Sequence, residues 1–317
     1  MSIREADESD DWIRGDDFHG LPTRRLANDH LWLEVLAGAG PRIVRLGLGE
    51  SPVNLLAETP DEGWETPHGR YDLFGGHRLW FAPEDPDRVA IPDGHDLVVE
   101  PIRDGLLLRG TVEGPTGLIR SMTISLDRGC ARLQVGHALR TAGDQHLELA
   151  PWPITQLPLG GTVLMPQRAS VPGHRVHPNR TLVLWPYTSW DDPRFRPRDG
   201  LLTIDALPGP GLKLGYFNDH GWVAYVRDGT SLVRRFKPII GQAHPDLGCN
   251  VEVFVGDRYL ELEVLGPLAT LEPGGTVSLL EQWEIERNNA SDDLLAIAAR
   301  IQANRPSPEP TADTVPV

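Results

Sequence analysis

The sequence has few of the features that mark membrane proteins or secreted disulfide-rich proteins. It contains two cysteines, Cys130 and Cys249, which lie far apart and do not indicate a disulfide framework. No apolar run approaches the ~18 residues that a membrane helix needs. The acidic amino terminus lacks the apolar core of a signal peptide. We therefore expect a cytoplasmic protein with no membrane partner.

The charge balance and the absence of several motifs exclude further classes of protein. The formal net charge is −15 at pH 7, whereas a nucleic-acid partner requires basic patches. The chain has no phosphate-binding glycine loop and no Gly-x-Ser-x-Gly nucleophile elbow. Its histidines show no spacing that defines a metal site. We expect no nucleic-acid partner, no cofactor and no metal, and the sequence leaves the oligomeric state open.

The pattern of short apolar runs predicts an all-β fold. The 33 glycines and 29 prolines indicate many turns, and strand-like runs recur between them from residue 31 onward. The runs Leu31–Leu36 and Arg42–Leu48 flank a Gly/Pro turn and predict a hairpin. The aperiodic stretch 56–72 predicts a surface loop. Many short strands without a fixed-period repeat are typical of a large sandwich or barrel.

The distribution of these strands predicts a single domain over residues 21–304. Residues 1–20 are acidic and predict a flexible segment, and the Pro-rich residues 305–317 predict a disordered tail. One helix is predicted at 292–304, with Ser291 as its amino-terminal cap. A single apolar face, spaced at i, i+3, i+4 and i+7, is expected to lie on the sandwich. It consists of Leu294, Ile297, Ala298 and Ile301.

The stretch Phe74–Glu84 gathers more recognition groups than any other part of the chain. Two glycines precede His77 and Arg78, and they allow a tight turn that presents both side chains. A histidine transfers protons near neutral pH, and an arginine fork suits hydroxyl groups and carboxylates. The alternative is a purely structural role, with the arginine bonded to carbonyl groups and the histidine packed on Trp80. His95, in another turn, is a second histidine candidate.

A second stretch, Tyr259–Leu265, predicts a strand with two carboxylates on one face. Glu261 and Glu263 lie about 6.5–7 Å apart on such a strand, which is near the spacing in inverting glycosidases. They approach from one side and cannot flank a glycosidic bond, so this geometry disfavours a glycosidase. Solvation or ion pairing with arginine is the alternative role. The opposite, core-facing set is Leu260, Leu262 and Val264.

Aromatic residues outside the predicted strands point to carbohydrate recognition. The chain has nine tryptophans, and we place Trp64, Trp80, Trp152 and Trp190 in loops. Flat rings with a polar edge suit the C–H faces of sugars. Tyr187 shares a loop of recognition-type residues with Trp190. The alternative is that these rings act as lids over the core.

Three segments together resemble the galactose mutarotase-like superfamily, in particular a bacterial branch related to aldose 1-epimerases. They are Phe74–Glu84, Ala150–Thr155 and Glu261–Pro267, and the resemblance extends over roughly Leu26 to Ile285 as an order of strands. It implies a large antiparallel β-sandwich, the supersandwich of that superfamily, that binds a small-molecule sugar on a concave sheet face.

The resemblance also implies roles for individual residues. Glu263, or its neighbour Glu261, is expected to act as the general base on the anomeric hydroxyl. A histidine, His77 or His95, is expected to be the general acid or to assist it. Arg78 corresponds to an arginine that holds the substrate.

Trp152 stands where the epimerases place the histidine that protonates the ring oxygen, so three hypotheses remain. The first is an isomerase resembling aldose 1-epimerase, with Glu263, His77 and Arg78 beside a platform of Trp80, Trp152 and Trp190. The second is a non-catalytic carbohydrate-binding domain that keeps the platform and lacks the acid. The third and least favoured is a sugar lyase or hydrolase on the same scaffold.

Overall fold

The computed structural model describes residues 12–94, 96–144, 146–169, 177–289 and 291–304. These residues form 23 strands and two short helices. In chain order they are β1 (Trp12–Arg14), β2 (Thr23–Ala27), β3 (Leu31–Leu36), β4 (Arg42–Leu48), β5 (Glu58–Thr66), β6 (Gly69–Gly75), β7 (His77–Ala82), β8 (Val98–Ile102), β9 (Gly105–Arg109), β10 (Leu118–Leu126), β11 (Arg132–Thr141), β12 (Leu147–Pro158), β13 (Thr162–Pro166), β14 (Val183–Leu184), β15 (Phe195–Arg198), β16 (Leu201–Asp205), β17 (Leu212–Tyr216), β18 (Trp222–Arg227), β19 (Thr230–Phe236), α1 (Pro245–Gly248), β20 (Val251–Val255), β21 (Tyr259–Val264), β22 (Ala269–Leu271), β23 (Thr276–Arg287) and α2 (Leu294–Ala303).

The strands form two large antiparallel sheets, which confirms the predicted β-sandwich. The first sheet has eleven strands in the order β1-β2-β3-β4-β7-β12-β21-β20-β17-β14, with β22 paired to β12. The second sheet has ten strands in the order β15-β16-β13-β18-β19-β23-β11-β10-β9-β8. The predicted hairpin of β3 and β4 is present, with Leu33 opposite Leu46.

The core lies between the two sheets and follows the period-two alternation of the strands. In β21, the side chains of Leu260, Leu262 and Val264 are fully buried in the largest apolar cluster, as predicted. Burying each such side chain stabilises the fold by roughly 1.5–3 kcal/mol. The intervening residues of β21 therefore lie on the opposite, outer face of the first sheet.

The stretch 56–72, predicted as a loop, instead contributes to a two-stranded hairpin of β5 and β6. The prediction was wrong because β5 has no apolar alternation of its own. β6 does alternate: Tyr71 and Leu73 are buried in a cluster with Trp80 and Trp152. The hairpin therefore packs on the outer face of the first sheet.

Two glycines at the end of this hairpin make a sharp junction with β7. Gly75 has φ 92° and Gly76 has φ 66°. A Cβ at Gly76 would lie 2.0 Å from the carbonyl oxygen of Ile43, so no other residue fits there. The need for glycine agrees with the sequence analysis. The residues that follow, however, form the buried strand β7 and not an exposed turn.

The carboxy-terminal helix lies on the second sheet with the predicted apolar face. Ile297, Ala298 and Ile301 are buried against an apolar cluster that includes Trp222. Its cap differs from the prediction, because the carboxylate of Asp293 accepts from the Ala296 amide and Ser291 lies outside the helix.

The ends of the described chain bear on the predicted boundaries. β1 pairs with β2, so the first sheet begins within the span predicted as a flexible segment. Residues 305–317 lie outside the described residues. Cys130 and Cys249 are both free thiols. Within the described residues, no helix combines the length and apolarity needed to cross a membrane.

Candidate functional site

Adjacent strands of the first sheet bring most of the predicted site residues to its outer face. Residues directly opposite in antiparallel strands share a face. Trp152 lies opposite Trp80, and Ile154 lies between Arg78 on one side and Glu263 on the other. The strands β7, β12 and β21 thus place the aromatic and charged candidates side by side.

Glu263 is the centre of this arrangement. Its side chain is completely buried, and its Oε2 accepts a hydrogen bond from Trp152 Nε1 at 2.7 Å. Lys213 Nζ donates to the same oxygen at 3.1 Å. The other oxygen, Oε1, has no hydrogen-bond partner in the described part of the chain. A buried unpartnered acceptor lowers the stability of the fold by about 1–3 kcal/mol, so Oε1 is a candidate acceptor for a hydrogen-bond donor of a ligand.

Two further charged residues, Lys213 of β17 and Glu252 of β20, complete this centre and were not predicted. Glu252 lies opposite Glu263, and its Oε2 is 2.9 Å from Lys213 Nζ. Lys213 also lies 4.8 Å from the ring centre of Trp152 and 4.7 Å from that of Trp185. The ammonium group therefore sits between two carboxyl groups and two aromatic rings.

Burial sets the protonation of this charged group. Burial raises the pKa of Glu263, although Lys213 opposes the shift. Burial and the charge of Glu263 raise the pKa of Glu252 well above its usual range. Burial lowers the pKa of Lys213, but the two carboxyl groups outweigh it and the pKa is raised. These shifts favour a cationic Lys213, an ionised Glu263 and a protonated Glu252. The three buried groups then carry no net charge.

Arg78 and Gln156 form a second polar region on the same face. Arg78 Nη2 donates to Glu261 Oε1 at 2.8 Å, and its guanidinium lies 4.3 Å from the ring centre of Trp80. Its Nε and Nη1 have no hydrogen-bond partner in the described residues. Gln156 lies opposite Glu261 and is fully buried, yet neither atom of its amide is partnered within that part of the chain.

The tryptophans of the site belong to strands and not to loops as predicted. Trp80 and Trp152 are buried, and their ring centres lie 5.7 Å apart in an edge-to-face contact. Trp80 Nε1 donates to the hydroxyl of Tyr71 at 2.9 Å. Trp64, in β5, is partly exposed and contacts Trp80 from the hairpin at 6.4 Å. The aromatic platform is therefore continuous from the hairpin to Glu263.

Tyr187 and Trp190 differ in their relation to the site. Burial raises the pKa of Tyr187 to about 12, with Lys213 opposing and Glu263 reinforcing the shift. Its ring centre lies 6.4 Å from that of Phe254, which is opposite Lys213 in one neighbouring strand and Glu261 in the other. Trp190 is 76% exposed, and none of the described ring contacts joins it to the site. The structure therefore gives no support for Trp190 as part of the platform.

The structure places His77 on the wrong face for its predicted role. Alternation along β7 turns it away from Arg78 and into the space between the sheets. Its Nε2 is 2.7 Å from Nε2 of His137 in the second sheet, and its Nδ1 is 2.9 Å from Thr155 Oγ1. Burial, with His137 adding to it, lowers the pKa of His77 well below its usual range. His77 therefore does not protonate a ligand on the outer face.

The other predicted histidine, His95, lies outside the described residues. Within them, His77, His137 and Glu281 bring potential metal-ligand atoms within 4.8 Å of one another. Both oxygens of Glu281, however, already pair with Arg234. The two Nε2 atoms are also closer than the roughly 3.3 Å expected for two ligands of a tetrahedral zinc ion. The cluster fits a hydrogen-bonded pair better than a metal centre.

A signal for two of the missed residues was present in the sequence. Lys213 and Lys237 are the only lysines in a chain rich in arginine. Lys213 also interrupts an apolar strand pattern, as Glu252 does within β20. A lone charge in such a strand is buried only with a partner, so the pair was foreseeable. Gln156 carried no comparable signal.

Comparisons with known proteins agree with the fold. No protein-family model matches the sequence, and a comparison with curated proteins finds no match. A galactose mutarotase-like protein from Lactobacillus casei superposes with a TM-score of 0.54 at 11% identity, covering 83% of this chain and all of that one. Structure neighbours of this kind show that the chain has the galactose mutarotase-like fold.

A longer protein has the same fold as one of its parts. A TPR-domain containing protein from Parabacteroides distasonis superposes with a TM-score of 0.61 at 15% identity, over 93% of this chain. This chain spans about half of that protein's length. At these identities the likeness extends to the fold alone.

Proposed function

We propose that the outer face of the first sheet binds a carbohydrate around Glu263. The observation that carries this proposal is the unpartnered Oε1 of a buried glutamate, flanked by Trp152 and Lys213. A sugar hydroxyl supplies the missing donor, and a sugar C–H face suits the neighbouring indole. The fold, which this chain shares with a protein described as galactose mutarotase-like, supports the same class of ligand.

A second candidate function is the interconversion of sugar anomers. It is favoured by the raised pKa of Glu263, because a carboxylate whose pKa lies nearer to neutral pH is a more effective general base. In that reaction Oε1 would take the proton of the anomeric hydroxyl. Lys213, 3.1 Å from the other oxygen, would keep Glu263 ionised and so able to accept that proton. The ring oxygen must gain a proton as the ring opens, and the carboxyl proton of Glu252, beside Lys213, would supply it in place of His77.

The test is a titration with a panel of aldoses and uronic acids, in which NMR line broadening reports binding and polarimetry reports anomer exchange. We expect at least one sugar to bind saturably, with binding weakened more than tenfold in Glu263→Gln. Glu148→Gln, an exposed change on β12, is the matched control. Accelerated exchange that is lost in Glu263→Gln supports the second function. Absence of binding to every sugar refutes the proposal.

A further inference from the structure

The hairpin of β5 and β6 begins and ends beside Gln156 of β12. The backbone N–H of Ala57, just before the hairpin, donates to the backbone carbonyl of Gln156. The backbone N–H of Gln156 donates in turn to the carbonyl of Gly76, just after the hairpin. Both ends of the hairpin are thereby fixed to β12 at one residue. The side chain of Gln156 is fully buried.

The far side of the hairpin is held by two different contacts. Trp64 packs its ring against Trp80 and, at 5.1 Å, against Tyr71. Glu62 pairs with Arg258, which lies in the turn between β20 and β21. The hairpin therefore extends from β7 to β21, above the pair of Arg78 and Glu261.

The region under the hairpin contains more hydrogen-bonding capacity than the protein uses. Gln156 offers an amide N–H pair and a carbonyl oxygen, and Arg78 offers Nε and Nη1, all without partners in the described residues. Both side chains are at least nine-tenths buried. Native proteins rarely leave such groups unpartnered, and two neighbouring cases on one face indicate a shared partner.

We propose that Gln156 and Arg78 form an enclosed subsite that binds two neighbouring hydroxyl groups of the ligand, beneath the β5–β6 hairpin. The inference rests on the proposed function and adds a residue to it, Gln156. The amide both donates and accepts, as one hydroxyl requires, and the guanidinium donates to the next. Because both side chains are buried, the hairpin moves aside when the ligand enters and closes again through Glu62 and Arg258.

The test compares Gln156→Met with Thr155→Val. Methionine keeps the length of the side chain and removes its amide. Since that amide makes no hydrogen bond in the ligand-free protein, we expect unchanged or increased thermal stability and at least tenfold weaker binding of the sugar that the wild type binds. Thr155 lies next in β12 on the opposite face and bonds to His77, so its variant should lose stability and keep its affinity.

The outcomes separate this inference from the proposed function. If the wild type binds a sugar and Gln156→Met binds it equally well, the subsite is wrong while the proposed function stands. A loss of stability in Gln156→Met similar to that in Thr155→Val would show that the amide is structural and would also overturn the subsite. If the wild type binds no sugar of the panel, both proposals fail.

Discussion

The buried pair of His77 and His137 makes the folded protein sensitive to mild acid. Burial lowers the pKa of His137 from 6.5 to about 4, and that of His77 also falls well below its usual range. The unfolded chain therefore takes up protons below pH 6.5 that the folded chain does not bind. The stability that depends on the uncharged histidine pair is fully present above pH 6.5 and is lost as the pH falls toward 4.

The size of the effect follows from the shift of His137 alone. A difference of about 2.5 pKa units, at 1.36 kcal/mol per unit, amounts to about 3 kcal/mol once the pH is below both values. Between pH 7.5 and pH 5 the same linkage gives a loss of about 2 kcal/mol. Any contribution from His77 adds to this loss. Glu252 and Glu263, whose pKa values are raised in the folded protein, act on stability in the opposite sense, so the effect of the histidines is read as the difference between the wild type and His137→Gln.

Urea unfolding at pH 7.5, 6 and 5, followed by tryptophan fluorescence, measures this loss directly. Over this window the wild type should lose about 2 kcal/mol more stability than His137→Gln does. His137→Gln should be less stable at pH 7.5 and should show a shallower dependence on pH. His146→Gln, which changes an exposed histidine, should behave as the wild type. An equal slope in the wild type and His137→Gln would refute the argument.

Three further changes test other parts of the account. Lys213→Met leaves two buried carboxyl groups without their cation, and urea unfolding should show a loss of about 3–5 kcal/mol; a loss below 1 kcal/mol would contradict the charged centre. Arg258→Gln breaks a partly exposed ion pair, so stability should change by less than about 1 kcal/mol. Because this ion pair holds the hairpin closed, stopped-flow fluorescence should show faster sugar association. An unchanged association rate would argue against a moving hairpin. Gly76→Ala should cost more than about 2 kcal/mol because of its positive φ and the nearby Ile43 carbonyl, whereas Gly143→Ala, with open space around it, should be neutral.

The sequence analysis succeeded where a strand carries a plain alternation. The period-two pattern of β21 placed Glu261 and Glu263 on one face and the apolar residues in the core, and both assignments are confirmed. The antiparallel sandwich follows from the same kind of pattern repeated along the chain. Only local geometry was needed in these cases.

The sequence analysis failed where tertiary contacts decide. β7 is buried on both faces, so His77 and Arg78 have no contrast in polarity that would assign them to opposite sides. The hairpin of β5 and β6 is stabilised by the packing of Tyr71 and Trp64 on Trp80, and β5 has no apolar alternation that would mark it as a strand. Whether the side chain of Gln156 is buried depends on which segment packs beside it, and the fold as a whole determines that segment.

The central claim is that a carbohydrate binds on the outer face of the first sheet at Glu263. A crystal structure of the protein with the tightest-binding sugar of the panel tests it most directly. The account predicts a sugar hydroxyl within hydrogen-bond distance of Glu263 Oε1, with a sugar ring against Trp152. A sugar bound elsewhere on the protein, with Glu263 Oε1 still unpartnered, would contradict it.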